Sequence, residues 1–202
     1  MKTDTLQLLD FSKLPSTQFS RKMSTYYPTF PSISPLDKQS FGNNHQVVAR
    51  HYYLDLTTDF KKNILVGYVD ITLESLVDHP KLVVVDARNL VISQVKFLYK
   101  KHHKHHDETI NEQQKQEHEI AFMMFAKEEV SHHGFPPVFG QPLAINLVHE
   151  SIELKANDQF VVRVFYETTH DSEAIQWLNP EQTLGKKHPY LFTQCQVCIC
   201  VN

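Results

Sequence analysis

Glycine is scarce in this chain, with five among 202 residues. The glycine-dependent phosphate loops GxxxxGKS/T and GxGxxG are both missing, and so is the GxSxG nucleophile turn. Cysteine is absent before Cys195, and Cys195, Cys198 and Cys200 then crowd together. An odd count at such spacing builds no disulfide framework, so reducing surroundings fit it better. Cys195-Gln-Val-Cys198 has CxxC spacing. On a strand, though, positions i and i+3 face opposite ways, and no second pair completes a zinc site. The cysteines are read as plain thiols. Long apolar runs are lacking too: residues 82–85 and 120–126 are strand-sized, far below the roughly 18 residues of a membrane span. A net charge of −3 gives no electrostatic basis for binding nucleic acid. The basic-then-apolar opening of a secretory signal is missing as well.

What is present suffices for a core: 41% of the residues are hydrophobic, and the length suits one domain with a tail. Residues 1–44 carry Pro15, Pro28, Pro31 and Pro35 among many Ser and Thr. They read as a disordered or loosely attached leader, with Tyr26, Tyr27 and Phe30 as the aromatic points for pinning it. Lys2, Lys13, Arg21 and Lys22 with few acids also suit an organellar import segment. A cytoplasmic chain with a plain leader is the reading taken.

Residues 45–202 have a different texture. β-Branched and aromatic residues fill 47–56, residues 57–63 read as a turn, and 64–74 alternate. Leu65, Val69, Ile71 and Leu73 share one face there, and Tyr68, Asp70, Thr72 and Glu74 the other. That pair predicts a β-hairpin. Further strands are expected at 82–86, 90–99, 120–125, 143–147 and 160–167, with Asn157-Asp158 as a turn. Strands recur about every ten residues and no amphipathic helix intervenes. The fold class expected is all-β, built of antiparallel sheets.

Residues 100–119, KKHHKHHDETINEQQKQEHE, hold one apolar residue in twenty and read as a solvated hairpin insertion. His102, His103, His105 and His106 tempt a metal assignment. A defined site, however, needs ligands fixed by structure and an outer shell, so loose adventitious binding is expected. His132-His133 is read in the same way. His149-Glu150-Ser151-Ile152-Glu153 has Glu where HExxH needs its second His, and its surroundings read as strand and loop. No catalytic residue and no metal ligand is assigned to this chain.

The most informative stretch is 176–196, QWLNPEQTLGKKHPYLFTQCQ. It reads as a loop feeding a short strand that ends in Gln194 and Gln196. Two residues apart on a strand, they share a face. Two neutral amides on one face can grip a peptide backbone or an amine. Buried amides need partners, since an unsatisfied one costs roughly 1–3 kcal/mol.

Residues 174–196 closely resemble a segment of the leukotriene A(4) hydrolase and aminopeptidase B group of zinc aminopeptidases. The resemblance extends through residues 51–73 (HYYLDLTTDFKKNILVGYVDITL), 82–90 (LVVVDARNL), 140–146 and 160–168. It covers about 46–196, with a gap at the histidine-rich insertion. It implies an aminopeptidase N-like N-terminal β domain of twisted antiparallel sheets, incomplete at its C-terminus. The catalytic domain of such enzymes brings HExxH, a further glutamate ligand and a GxMEN segment, and none of these is in this sequence. By position, Gln194 and Gln196 match the pair that lines the substrate pocket, the second helping to hold the substrate's amine. Zinc then belongs to the intact family enzyme, with no cofactor in this chain. Peptide would be bound only with a catalytic domain present, and the chain alone is expected to be inactive. Residues 197–202, VCICVN, depart from the family pattern, as a truncated gene prediction, a retained intron or an alternative transcript would. The alternative is a stand-alone β module that binds peptides or a partner.

Overall fold

The chain's structure is a computed structural model that describes residues 29–101, 117–135, 140–172 and 174–193. Its strands, in chain order, are β1 (Val47–Asp59), β2 (Ile64–Ser75), β3 (Leu82–Ala87), β4 (Leu90–Lys101), β5 (His118–Glu119) and β6 (Phe122–Met124). One helical turn, α1 (Lys127–His132), precedes β7 (Gln141–Asn146), β8 (Gln159–Thr168), β9 (Ile175–Leu178) and β10 (Tyr190–Thr193). The architecture is all-β. A five-stranded sheet runs β1-β2-β8-β4-β5, a three-stranded sheet β3-β7-β6, and β9 and β10 form a two-stranded ribbon. Each pairing is antiparallel.

The period-two pattern explains how the larger sheets meet. Ile71, Leu73, Phe160, Val162, Val164 and Val95 point from the five-stranded sheet to one cluster, and Val83, Phe122, Leu143 and Ile145 enter it from the three-stranded sheet. Phe160, Val162, Val95 and Ile145 have no exposed surface. Phe97 lies near-parallel to Phe160, centroids 5.7 Å apart. On the other face of the larger sheet, Arg163 makes two hydrogen bonds to the Asp70 carboxylate, 2.6 and 2.7 Å long. Its guanidinium stacks 3.9 Å from the Tyr68 ring centre. Planar, two-point pairing of this kind is stronger and more directional than a simple ion pair.

The hairpin is longer than the sequence suggests. Thr57, Thr58 and Asp59 remain in the β1 ladder opposite Val66, Leu65 and Ile64. The turn begins only at Phe60. β-Branched Thr57 and Thr58 suit a strand, and the Asp59 carboxylate accepts hydrogen bonds from the Lys61 and Lys62 amides at 2.9 and 3.0 Å. The turn α1 is also absent from the sequence reading. Six residues are too few to show helical periodicity. It forms because Val130 is buried at 1% exposure and the Glu129 carboxylate accepts from the Ala126 amide.

Residues 29–44 pack along the three-stranded sheet as a strap. Phe41 is 1% exposed and meets Phe30 and Phe135 edge-on. Phe30 also stacks on His133 at 4.0 Å, so this histidine is a packing residue. The Asp86 carboxylate on β3 fastens the strap by accepting from the Ser40 hydroxyl at 2.5 Å and the Phe41 amide at 2.9 Å. Burial holds this carboxyl above the usual carboxylate range, against the opposing effect of those two donors. The β4–β5 pairing sets Lys96 opposite Glu119 and Phe97 opposite His118. The histidine-rich stretch with His102, His103, His105 and His106 lies between them, outside the described residues.

Candidate functional site

The segment leaving β8 is fixed before it reaches the ribbon. The Thr169 amide donates to the Asn89 carbonyl at 2.9 Å, and the Asn89 side-chain amide donates to the Asp171 carbonyl at 2.7 Å. β9 and β10 then pair with Ile175 opposite Thr193, Gln176 opposite Phe192, Trp177 opposite Leu191 and Leu178 opposite Tyr190. Trp177 and Leu191 therefore share one face, and Gln176 and Phe192 the other.

The loop between the two strands ties itself together. Pro180 opens a single 3-10 turn (Pro180–Gln182), where its ring costs no hydrogen bond. The Gln182 side chain accepts from the Asn179 amide at 2.9 Å. The Thr183 hydroxyl lies 2.8 Å from the Pro180 carbonyl and 2.9 Å from the His188 carbonyl, drawing the two arms of the loop together. A shallow open depression of about 400 Å³ lies against this loop, lined by Leu178, Gln182, Thr183, His188, Pro189 and Tyr190. Tyr190 is 58% exposed and Leu184 fully so. At the far side of the ribbon, Phe60 from the β1–β2 turn meets the Trp177 ring edge-on, 5.6 Å between centroids.

Gln194 and Gln196 lie outside the described residues, one and three positions after Thr193, the last residue of β10. Cys195, Cys198 and Cys200 are likewise outside them. The other sequence candidates are dispersed. His149 lies in the β7–β8 loop, where its Nδ1 accepts from the Ser151 amide at 3.1 Å. Among the described residues, His149 and Glu153 therefore do not share a helix face as an HExxH pair would. The His132 ring bonds to the Glu128 carbonyl at 2.7 Å within α1. Among the described residues, no group of three or more His, Cys, Asp or Glu is placed to hold a metal ion. A zinc centre of the family kind has no fitting donor set there. The depression offers the Thr183 hydroxyl, the Gln182 amide, the His188 side chain and the Tyr190 ring, and Glu181, Lys186 and Lys187 belong to the same loop. The Phe60–Trp177 contact escapes sequence reasoning, although both residues lie inside the quoted motifs, because it depends on two sheets meeting.

These features define a class: an antiparallel all-β domain of three sheets, the last a two-stranded ribbon. No family model matches the chain. Against individual proteins, it is 31% identical to leucine aminopeptidase 2 of Phaeosphaeria nodorum and 31% identical to leukotriene A-4 hydrolase of Xenopus laevis, each match covering 81% of this chain and 22% of the relative. Leucine aminopeptidase 2 of Yarrowia lipolytica is 49% identical over a shorter stretch of 59 residues. Among solved structures, native yeast LTA4 hydrolase superposes with a TM-score of 0.57 and 25% identity, over 84% of this chain and 22% of that one. The chain belongs to the leukotriene A-4 hydrolase and leucine aminopeptidase group, and it spans about a fifth of the length of these relatives. Its all-β architecture is that of the N-terminal domain of LTA4 hydrolase.

Proposed function

We propose that this chain supplies the substrate-facing wall of a zinc aminopeptidase pocket, with Gln194 and Gln196 gripping the free amine and first peptide unit of the substrate. The observation that carries this reading is the ribbon. β10 is registered against β9 as far as Thr193, the residue before Gln194 in the sequence, within a fold shared with native yeast LTA4 hydrolase. Neutral amides suit the task, because they donate and accept without fixing a charge. The zinc that activates water would come from the catalytic part of the intact enzyme. Whether epoxide hydrolysis accompanies peptide cleavage there depends on that part. The site of action proposed is the cytoplasm, with organellar import through residues 1–44 as the alternative. A C-terminal fluorescent fusion tells them apart.

The decisive experiment has two arms. The chain alone, given zinc and an aminoacyl chromogenic substrate, should show no turnover. Stoichiometric, metal-dependent turnover would overturn the reading. In the second arm this chain replaces the matched segment of the Xenopus laevis enzyme. The chimera should hydrolyse the substrate, and Gln196→Ala should raise KM at least about tenfold, as for loss of one hydrogen bond to a charged group. A dead chimera that is nonetheless folded and zinc-loaded, or an unchanged KM, would count against it.

A second reading has its own support. Tyr52, Tyr53 and Leu54 of β1 are 47, 55 and 55% exposed, on a strand with β2 as its one hydrogen-bonded neighbour among the described residues. A stand-alone module capturing a partner along that edge would use them.

A further inference from the structure

β1 closes one side of the five-stranded sheet, and among the described residues β2 is its one hydrogen-bonded neighbour. Its outward main-chain groups therefore need water or another chain. Edge strands are commonly guarded by a proline, a lysine or a bulge. The bulge here comes early, where the register slips between Ala49 and His51. From His51 to Asp59 the ladder is regular, and that stretch holds neither proline nor lysine. Alternation gives it two faces. Tyr52 and Leu54 lie opposite Ile71 and Val69, so they carry the core-facing side of the sheet out to its rim, yet they are 47 and 55% exposed. His51, Tyr53 and Asp55 lie opposite Thr72, Asp70 and Tyr68 on the other face.

We propose that β1 pairs antiparallel with β1 of a second copy of this chain, about a two-fold axis through Tyr53. This rests on the edge-capture reading above and is independent of the pocket reading. An axis normal to the sheet keeps the core-facing sides of the two copies together. Residues equally far before and after Tyr53 then face each other. Tyr52 faces Leu54 of the partner subunit, Leu54 faces Tyr52 of the partner subunit, and His51 and Asp55 face each other at both ends. Aromatic–aliphatic and oppositely charged cross-strand pairs are stabilising, and an imidazole N–H donates to a carboxylate whether or not the ring is charged. Neighbouring registers lose these pairs. An axis through Tyr52 or Leu54 brings neither His51 nor Asp55 opposite the other, and an axis through Asp55 sets that carboxylate against its own copy. Complementarity thus selects Tyr53. The Tyr68 hydroxyl donates to the Asp55 carboxylate at 3.0 Å and orients it on this face, and a carboxylate accepts further hydrogen bonds.

The test uses the full chain. Sedimentation velocity over a concentration series should show monomer passing to dimer and stopping there, because a two-fold pairing uses up the edge of both copies. His51→Glu sets like charges opposite each other at both ends and should raise the dimer Kd about 3- to 30-fold. Adding Asp55→Lys to it should bring the Kd back. Oxidative crosslinking reads the register, in a chain with Cys195, Cys198 and Cys200 replaced by Ser. Tyr53→Cys should give a disulfide-linked dimer. Leu54→Cys should not, since it stands diagonal to its own copy and out of disulfide reach. His51, Tyr53, Leu54 and Asp55 are all exposed, so these variants keep the fold, and their urea midpoints check it. A dimer that Leu54→Lys disperses but Tyr53→Cys does not link overturns the proposal and spares the edge-capture reading. A chain that stays monomeric at every concentration also overturns it, with the edge left to a different partner. A dimer indifferent to Leu54→Lys overturns both.

Discussion

Gly67 sits opposite Leu56 in the β1–β2 ladder, and a methyl group there would lie 2.0 Å from the Asp55 carbonyl oxygen. The residue is required by close backbone approach. Gly67→Ala should destabilise the chain by roughly 1–3 kcal/mol, seen as a lower urea midpoint. The sequence places this glycine inside a strand, but its reason appears only in the register, since the obstruction belongs to a residue twelve positions earlier. Asp86 makes a different prediction. Burial raises its folded pKa, with Asp37 adding to the effect and the Ser40 and Phe41 donors opposing it. The folded chain therefore binds this proton more tightly than the unfolded chain does. Its contribution to stability is full below the unfolded value of about 3.9 and is lost as pH rises through the folded value. Asp86→Asn removes that slope. Urea midpoints measured from acid to neutral pH should show the variant gaining on the parent as pH rises.

At the scale of elements, strands were easy to read and their partners were not. Alternation at 64–74 and the apolar run at 82–86 signal strands by themselves, because burial on one face or both leaves a period in the sequence. Nothing local reports that β8 lies between β2 and β4. The strap is the sharper case. Its proline and serine content reads as a loose leader, yet Phe41 is buried by residues nearly a hundred positions downstream. Phe41→Ala should cost up to about 3–5 kcal/mol locally. Limited chymotrypsin digestion should then cut within residues 29–44 before the β domain, while the parent resists there. Equal protection in both would show that the Asp86 hydrogen bonds hold the strap unaided.

For the whole molecule, the exposed β1 edge bears on behaviour in solution. An edge strand carrying exposed Tyr52, Tyr53 and Leu54 is a template for pairing with another chain. The isolated chain should therefore self-associate with concentration in sedimentation velocity. Leu54→Lys should shift it to monomer and change stability by less than about 0.5 kcal/mol, since the side chain is half in solvent. Unchanged association would place the contact elsewhere. The stretch 176–193 reads as a motif because it is continuous in sequence; the Phe60–Trp177 contact does not, because those residues meet only once the two sheets that carry them are in place.

The strap also sets an order on biosynthesis. Phe30 and Phe41 leave the ribosome early, while Phe135, which they pack against, is translated about a hundred residues later. At roughly 5–20 residues per second, these rings stay uncovered for about 5–20 seconds in every round of translation. During that interval the nascent chain offers apolar rings to any chaperone waiting at the tunnel exit.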